Sequence, residues 1–198
     1  MSLQLKDQGR QWPKNLSEIP DHHRVRYKFA ANLCAGRTLD AACGVGYGTS
    51  IIGSKASKVS EVVGVDKSEQ AIGWAEKYFP GPKFVCGDVS GDYGLFETVV
   101  SLETIEHLQD PSPALKAFRR ACKGKFIASV PNEEKYPFKA ENFVDDESPH
   151  YRHYTPDEFG DLLQSHGFRV LEAFCQEDKF HPYMNLGIDG MFLIYVCC

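Results

Sequence analysis

The sequence predicts an α/β fold in which a parallel sheet is covered on both faces by helices and finished by an antiparallel hairpin. Short β-branched and apolar runs alternate with helical segments of about 10 to 15 residues, the pattern of strands joined by crossover helices. The last two strand-like runs, 168–174 and 191–197, have no helical pattern between them, so they pair antiparallel at one edge of the sheet or inside it. A length of 198 residues supports one domain with a sizeable core and leaves little for a separate substrate domain.

Each element has its own signal. Residues 22–35 carry Val25, Phe29 and Leu33 at helical spacing and form the first helix. Residues 37–42 read as a buried strand, 43–48 as a glycine-punctuated turn and 49–57 as the helix after it. The β-branched run 61–65 ends at Asp66; Ser68 then caps a helix that runs to Phe79 and stops at Pro80-Gly81-Pro82. Strands follow at 83–86 and 98–102, then a helix at 111–122 and a strand at 125–130 that ends at Pro131-Asn132. Thr155 and Glu158 have capping-box spacing around a proline at the first helical position, and Gly167 ends that helix. Residues 133–149 follow no regular pattern and are long enough to form a lid. On this reading 1–21 is an N-terminal extension and 22–198 a single domain.

Composition narrows the function. With 22 Lys and Arg against 27 Asp and Glu, the chain carries a net charge of -5. That balance disfavours a sequence-independent nucleic-acid binder, which needs a basic stripe to displace counterions. No apolar run approaches the roughly 20 residues that cross a bilayer. The first twenty residues lack an apolar stretch followed by small residues, so a cytoplasmic location without membrane contact is expected. The seven cysteines are scattered without a C-x-x-C pair, which fits reduced thiols.

Ligands of open parallel sheets bind at the carboxyl ends of the strands. The first strand ends Asp40-Ala41-Ala42-Cys43-Gly44-Val45-Gly46-Tyr47-Gly48 and continues with Thr49, so the glycines recur as G-x-G-x-G. A dinucleotide turn has G-x-G-x-x-G, so a dehydrogenase is disfavoured; glycines after an acidic strand end let the backbone lie against a ligand with an amine at its polar end. Asp66 ends the next strand, 20 residues after Gly46, and its two carboxylate oxygens suit the vicinal diol of a ribose. Asp88 follows the third strand, where it can accept a hydrogen bond from an adenine amino group.

These residues resemble the class I S-adenosylmethionine (SAM)-dependent methyltransferases, the small-molecule group that includes quinone-biosynthesis O-methyltransferases. The resemblance runs from about His22 to the last strand and implies a seven-stranded, doubly wound Rossmann-like sheet whose last two strands form the hairpin. It implies SAM as cofactor, with Asp40, Ala42, Gly44 and Gly46 in the glycine turn, Asp66 and Lys67 at the ribose, and Asp88 and Val89 at the adenine. Leu102 closes the fourth-strand motif, in which Glu97 stands where an aspartate is usual, and Arg26 with Tyr27 resembles the residues that cap the methionine carboxylate.

Glu103-Thr104-Ile105-Glu106-His107 lies just beyond the fourth strand. His107 fits a metal-free general base, with Glu106 and Glu103 as its catalytic neighbours. The E-x-x-E-H pattern also resembles methyltransferases that use a divalent cation, including the 2′-O-methyltransferases of small-RNA 3′ ends. That resemblance implies Glu103, Glu106, His107 and His150 as ligands, His150 lying five residues before Thr155. Two carboxylates and two imidazoles suit Mg2+, Mn2+ or Zn2+. The cluster from His150 to Tyr154 suits either stacking on an acceptor ring or packing of the loop.

Several acceptors are argued against. The fourth strand ends in Ser101-Leu102-Glu103-Thr104, without the N-P-P-Y motif that receives a base amine, and no Pro-Cys pair supplies a cytosine C5 nucleophile. What remains is the hydroxyl of a small molecule, such as a quinone precursor or a sugar, with an RNA ribose 2′-hydroxyl as the alternative acceptor. A SAM- or nucleotide-binding module without catalysis is the alternative of a different class. With the core using most of the chain, two short segments and a net-acidic body are left to recognise the acceptor, which favours a small molecule over a macromolecule.

Overall fold

The structure, a computed structural model, describes residues 12–55, 57–140 and 150–198. Eight strands are found among them: β1 Gly36–Ala41, β2 Val59–Asp66, β3 Lys83–Cys86, β4 Phe96–Leu102, β5 Cys122–Pro131, β6 Val170–Gln176, β7 Asn185–Leu186 and β8 Phe192–Cys197. They form one sheet in the order β3-β2-β1-β4-β5-β8-β6-β7. β1 to β5 run parallel, while β8 pairs antiparallel with both β5 and β6. The helices are α1 Asp21–Leu33, α2 Tyr47–Lys55, α3 Glu69–Tyr78, α4 Ser112–Ala121 and α5 Pro156–Ser165.

Alternation along the strands builds a core on each face. Leu39, Val63, Val99, Phe126 and Leu193 pack with Leu115 and Phe118 of α4 and Phe159 and Leu163 of α5. Their chain neighbours Val62, Val100, Ile127 and Ile194 pack the other way, against Tyr27, Ala30 and Ala31 of α1 and Ile51 and Ile52 of α2. This is the period-2 geometry of a sheet buried on both sides. The predicted doubly wound sheet with its antiparallel end is present, and the hairpin lies inside the sheet. β8 is buried at every position and takes the central place, whereas β6 is exposed at Leu171 and Glu172 and sits further out. The strand beyond the seven implied by resemblance is β7, two exposed residues held on the outer edge of β6.

Caps set the helix limits. The Ser68 side chain accepts the Ala71 N–H at the start of α3, and the Thr155–Glu158 capping box closes reciprocally at the start of α5, with Pro156 in its first turn. The chain runs outward from β1 through β2 to β3 and then returns to place β4 on the other side of β1. The crevice between β1 and β4 is therefore the point where strand order reverses, which is where such sheets bind ligands. Two non-glycine residues have positive φ among the described residues, Ala42 at 60° and Glu103 at 50°, and they directly follow these two strands.

Candidate active site

The glycine turn begins where β1 stops. The Cys43 N–H donates to the Val65 carbonyl at 2.9 Å and the Gly46 N–H to the Cys43 carbonyl at 3.1 Å, which folds the turn back over the end of β2. Its glycines serve different purposes. A Cβ on Gly46 would stand 2.5 Å from Cβ of Ala75 and 2.8 Å from the Phe84 ring, and one on Gly48 would stand 2.1 Å from the Tyr27 ring. A Cβ on Gly44 would meet nothing within 4 Å. Gly46 and Gly48 let helices close on the turn, while Gly44 leaves the backbone bare on the side open to a ligand.

The acidic strand ends also divide by role. Asp66 is buried, and its Oδ2 accepts the Gly44 N–H at 2.8 Å while Oδ1 accepts the Ser68 N–H at 2.9 Å, so it ties the glycine turn to the start of α3. The neighbouring Lys67 is exposed. Asp88 is exposed, and hydrogen bonds from the Ser90 hydroxyl and N–H hold its carboxyl below the usual range. Val89 is half-buried against the core. Asp40 lies beneath the turn, fully buried: Thr49 Oγ1 donates to Oδ2 at 2.7 Å and the Tyr27 hydroxyl to Oδ1 at 3.4 Å. Burial pushes its pKa up to about 7.

Arg26 is 2% exposed and enters the site from α1. Its Nη1 donates to Oε1 of Gln176 at 2.9 Å, its guanidinium lies 4.2 Å from the centroid of the Phe192 ring, and Nη2 stands 3.9 Å from Oε2 of Glu103. Of the pair expected at a methionine carboxylate, Tyr27 thus serves Asp40 and packs on Gly48, while Arg26 faces the end of β4.

β4 delivers the second group. After the buried Leu102, Glu103 donates its N–H to Ser129 Oγ at 3.0 Å and accepts the Ser129 hydroxyl on Oε1 at 2.7 Å. A single 3-10 turn, Ile105–His107, then places Glu106 in full burial, where neither carboxylate oxygen has a hydrogen-bond partner among the described residues. Burial and the charge of Glu103 push the Glu106 pKa well up, and the Arg26 guanidinium pulls it the other way. Glu106, His107 and His150 offer ligand atoms that all lie within 4.8 Å of one another. Glu103 stands outside this group because Ser129 and Arg26 hold it. Three of the four ligands implied by resemblance are brought together.

His150 comes from a distant loop. The Tyr151 N–H donates to the Glu106 carbonyl at 2.8 Å and Arg152 Nη2 to the Gln109 carbonyl at 3.1 Å, stitching that loop to the turn after β4. Burial and the neighbouring His107 and His153 lower the pKa of His150 to about 3, so its imidazole is neutral at ordinary pH. Within the expected lid, Glu133 Oε2 accepts the Phe138 N–H at 2.8 Å, and residues 141–149 lie outside the described residues. Sequence reasoning missed Thr49, Ser129 and Gln176. Thr49, the residue that breaks the dinucleotide pattern, is the one with a signal: its hydroxyl stands in the first turn of α2, where it reaches Asp40.

The model of the methyltransferase domain family matches residues 7–173, which include the glycine turn, the acidic strand ends and the Glu106 group. A protein of Mycolicibacterium smegmatis described as a probable SAM-dependent methyltransferase is 29% identical over 154 residues, 75% of this chain and 58% of that protein. A similarly described protein of Mycobacterium tuberculosis is 27% identical over 157 residues, 77% of this chain and 56% of that one. The chain spans little more than half the length of these curated relatives. Among solved structures, a SAM-dependent methyltransferase of Thermotoga maritima, described as a possible histamine N-methyltransferase, superposes with a TM-score of 0.71 at 21% identity, covering 89% of this chain and 90% of that one. Magnesium protoporphyrin IX methyltransferase of Synechocystis with bound S-adenosylhomocysteine (SAH) gives 0.65 at 18% identity, covering 92% and 87%. These likenesses carry the fold, and the family match carries the assignment: this chain belongs to the methyltransferase domain family, on the class I SAM-dependent methyltransferase fold.

Proposed function

We propose that this domain transfers the methyl group of SAM to a hydroxyl of a small molecule held beside Glu106, His107 and His150. The observation that carries the proposal is the buried Glu106 carboxyl, whose oxygens have no hydrogen-bond partner among the described residues and one of which lies within 4.8 Å of ligand atoms of His107 and His150 just beyond β4. Buried polar groups are almost always paired, so this one is built for something that arrives. On this reading the bare backbone at Gly44 lies along the cofactor, Asp66 accepts its ribose hydroxyls, and Asp88 with Val89 borders the adenine. Arg26 supplies a guanidinium for the carboxylate end, and Leu102 is the apolar wall at the tip of β4.

Without a cation, His107 takes the hydroxyl proton as the oxygen–methyl bond forms and the sulfur–methyl bond breaks, the bonding pair staying on sulfur. The donor set of one carboxylate and two imidazoles fits a divalent cation, held by Glu106, His107 and His150. Bound there, such a cation supplies Lewis acidity that lowers the pKa of a coordinated hydroxyl. The same donors suit a vicinal diol, so an RNA ribose 2′-hydroxyl is the second acceptor reading, disfavoured by the net charge of -5.

Calorimetry should give saturable SAH binding that Asp66→Ala and Gly44→Leu abolish; unchanged binding in both variants would overturn the cofactor site. A methyl-transfer screen over quinone precursors, sugars and RNA 3′ ends, with and without EDTA, tests the acceptor and the cation together. Methylation indifferent to EDTA removes the cation, and SAH binding without transfer to any acceptor supports a binding module instead.

A further inference from the structure

We propose that His153 is a positioning residue for the Glu106–His107–His150 site: it fixes the proton of His150 on Nδ1 and so leaves Nε2 as the nitrogen that can hold a cation. The inference rests on the divalent-cation reading above.

A backbone carbonyl oxygen can only accept a hydrogen bond. His153 Nδ1 lies 2.6 Å from the backbone carbonyl oxygen of Tyr136, so that nitrogen carries the proton. Oε2 of Glu133, 3.9 Å away, is likewise an acceptor. In the neutral ring, which has one N–H, His153 Nε2 then presents a lone pair. That lone pair faces His150 Nδ1 at 2.8 Å. With the opposite proton placement on His150, two lone pairs would oppose each other at this distance; the contact is a hydrogen bond only when His150 Nδ1 donates. Both rings are thereby held as the Nδ1–H tautomer, and His150 keeps its Nε2 lone pair.

The fixing group is itself fixed. His153 is 5% exposed and its ring packs 5.2 Å from the Tyr136 ring and 5.5 Å from the Phe138 ring. The Tyr136 carbonyl sits in a turn that closes on the end of β5, where the Tyr136 N–H donates to the Asn132 carbonyl at 2.7 Å. The Glu133 N–H donates to the Tyr154 carbonyl at 2.9 Å, and Asn132 bridges Tyr154 beside His153. A line of hydrogen bonds thus runs from the end of β5 through Tyr136 and His153 to His150. Partners of this kind orient a ligating imidazole, and their loss typically weakens metal binding by about 10- to 100-fold.

Long-range 15N–1H NMR on the histidine-labelled protein, at a pH where the rings are neutral, should find both His150 and His153 protonated on Nδ1. His150 protonated on Nε2 overturns the proposal. Titration with Mn2+, followed by calorimetry and the Mn2+ EPR signal, should show His153→Phe binding about 10- to 100-fold more weakly than the parent protein. His153→Gln should restore most of that affinity, because its amide N–H can donate to Tyr136 while its oxygen accepts from His150. Equal Mn2+ affinity in the parent and in His153→Phe overturns the positioning role and leaves the cation reading standing. No Mn2+ binding to the parent protein overturns the cation reading and this inference with it. Circular dichroism melts report whether each variant folds, and the tautomer measurement on the parent decides the matter where a variant does not.

Discussion

Gly44 and Gly46 stand two residues apart, both at positive φ, yet answer to different constraints. Gly46→Ala forces a methyl into Ala75 and Phe84 and should cost about 1–3 kcal/mol of stability by overpacking, read by urea denaturation. Gly44→Ala meets open space and should cost only about 1–2 kcal/mol for its left-handed backbone, with the larger loss appearing in SAH affinity by calorimetry. Glu106→Gln should keep the shape of the buried side chain while lowering Mn2+ affinity at least tenfold, because the carboxylate that balances the ion's charge is gone. At this scale the sequence was readable for placement: Asp66 and Asp88 stand at strand ends and Glu106 just beyond β4, as expected. It was silent where a partner comes from far along the chain. Arg26 meets Gln176 across 150 positions, and Glu103 is held by Ser129 of β5, so neither pairing has a local spacing to betray it.

Elements were legible when their own residues dictated them. The capping box at Thr155 and Glu158 formed as read, and Thr155→Ala should cost about 1 kcal/mol and lower the melting midpoint by about 2–4 °C. The apolar run Phe192–Cys197 was readable as a strand, and its even burial explains its central position, although its rank between β5 and β6 is a property of the assembled sheet. β7 gave no signal because two exposed residues have no alternation to display. Helix ends shifted by a few residues from those expected, as at α2, which starts at Tyr47 inside the glycine-rich stretch.

For the whole molecule, stability carries two opposed dependences on pH. Partial burial and the Arg26 guanidinium lower the pKa of His23 to about 3, and His150 falls to about 3 as well, both from 6.5. The folded protein then binds fewer protons at these rings than the unfolded chain, so their contribution is complete above about pH 6.5 and is lost as pH falls toward 3. Asp40 acts in the other sense. Its pKa rises from 3.8 to about 7, so the folded state holds its proton longer and stability is lost as pH rises through that window. Melting curves taken between pH 4 and pH 8 should show Asp40→Asn gaining on the parent protein as pH rises toward 7, with the difference level beyond it.

The place of β8 also governs how the chain comes into being on the ribosome. β6 precedes β8 in sequence but touches β5 only through it. Until residues 192–197 have left the exit tunnel, the nascent chain therefore presents the open edge of β5, and the edge of β6 that faces β8 has no partner strand. Such edges are aggregation-prone in a folding intermediate. A release stalled before residue 192 should yield an insoluble product although every residue of the glycine turn and of the Glu106 group has already been made.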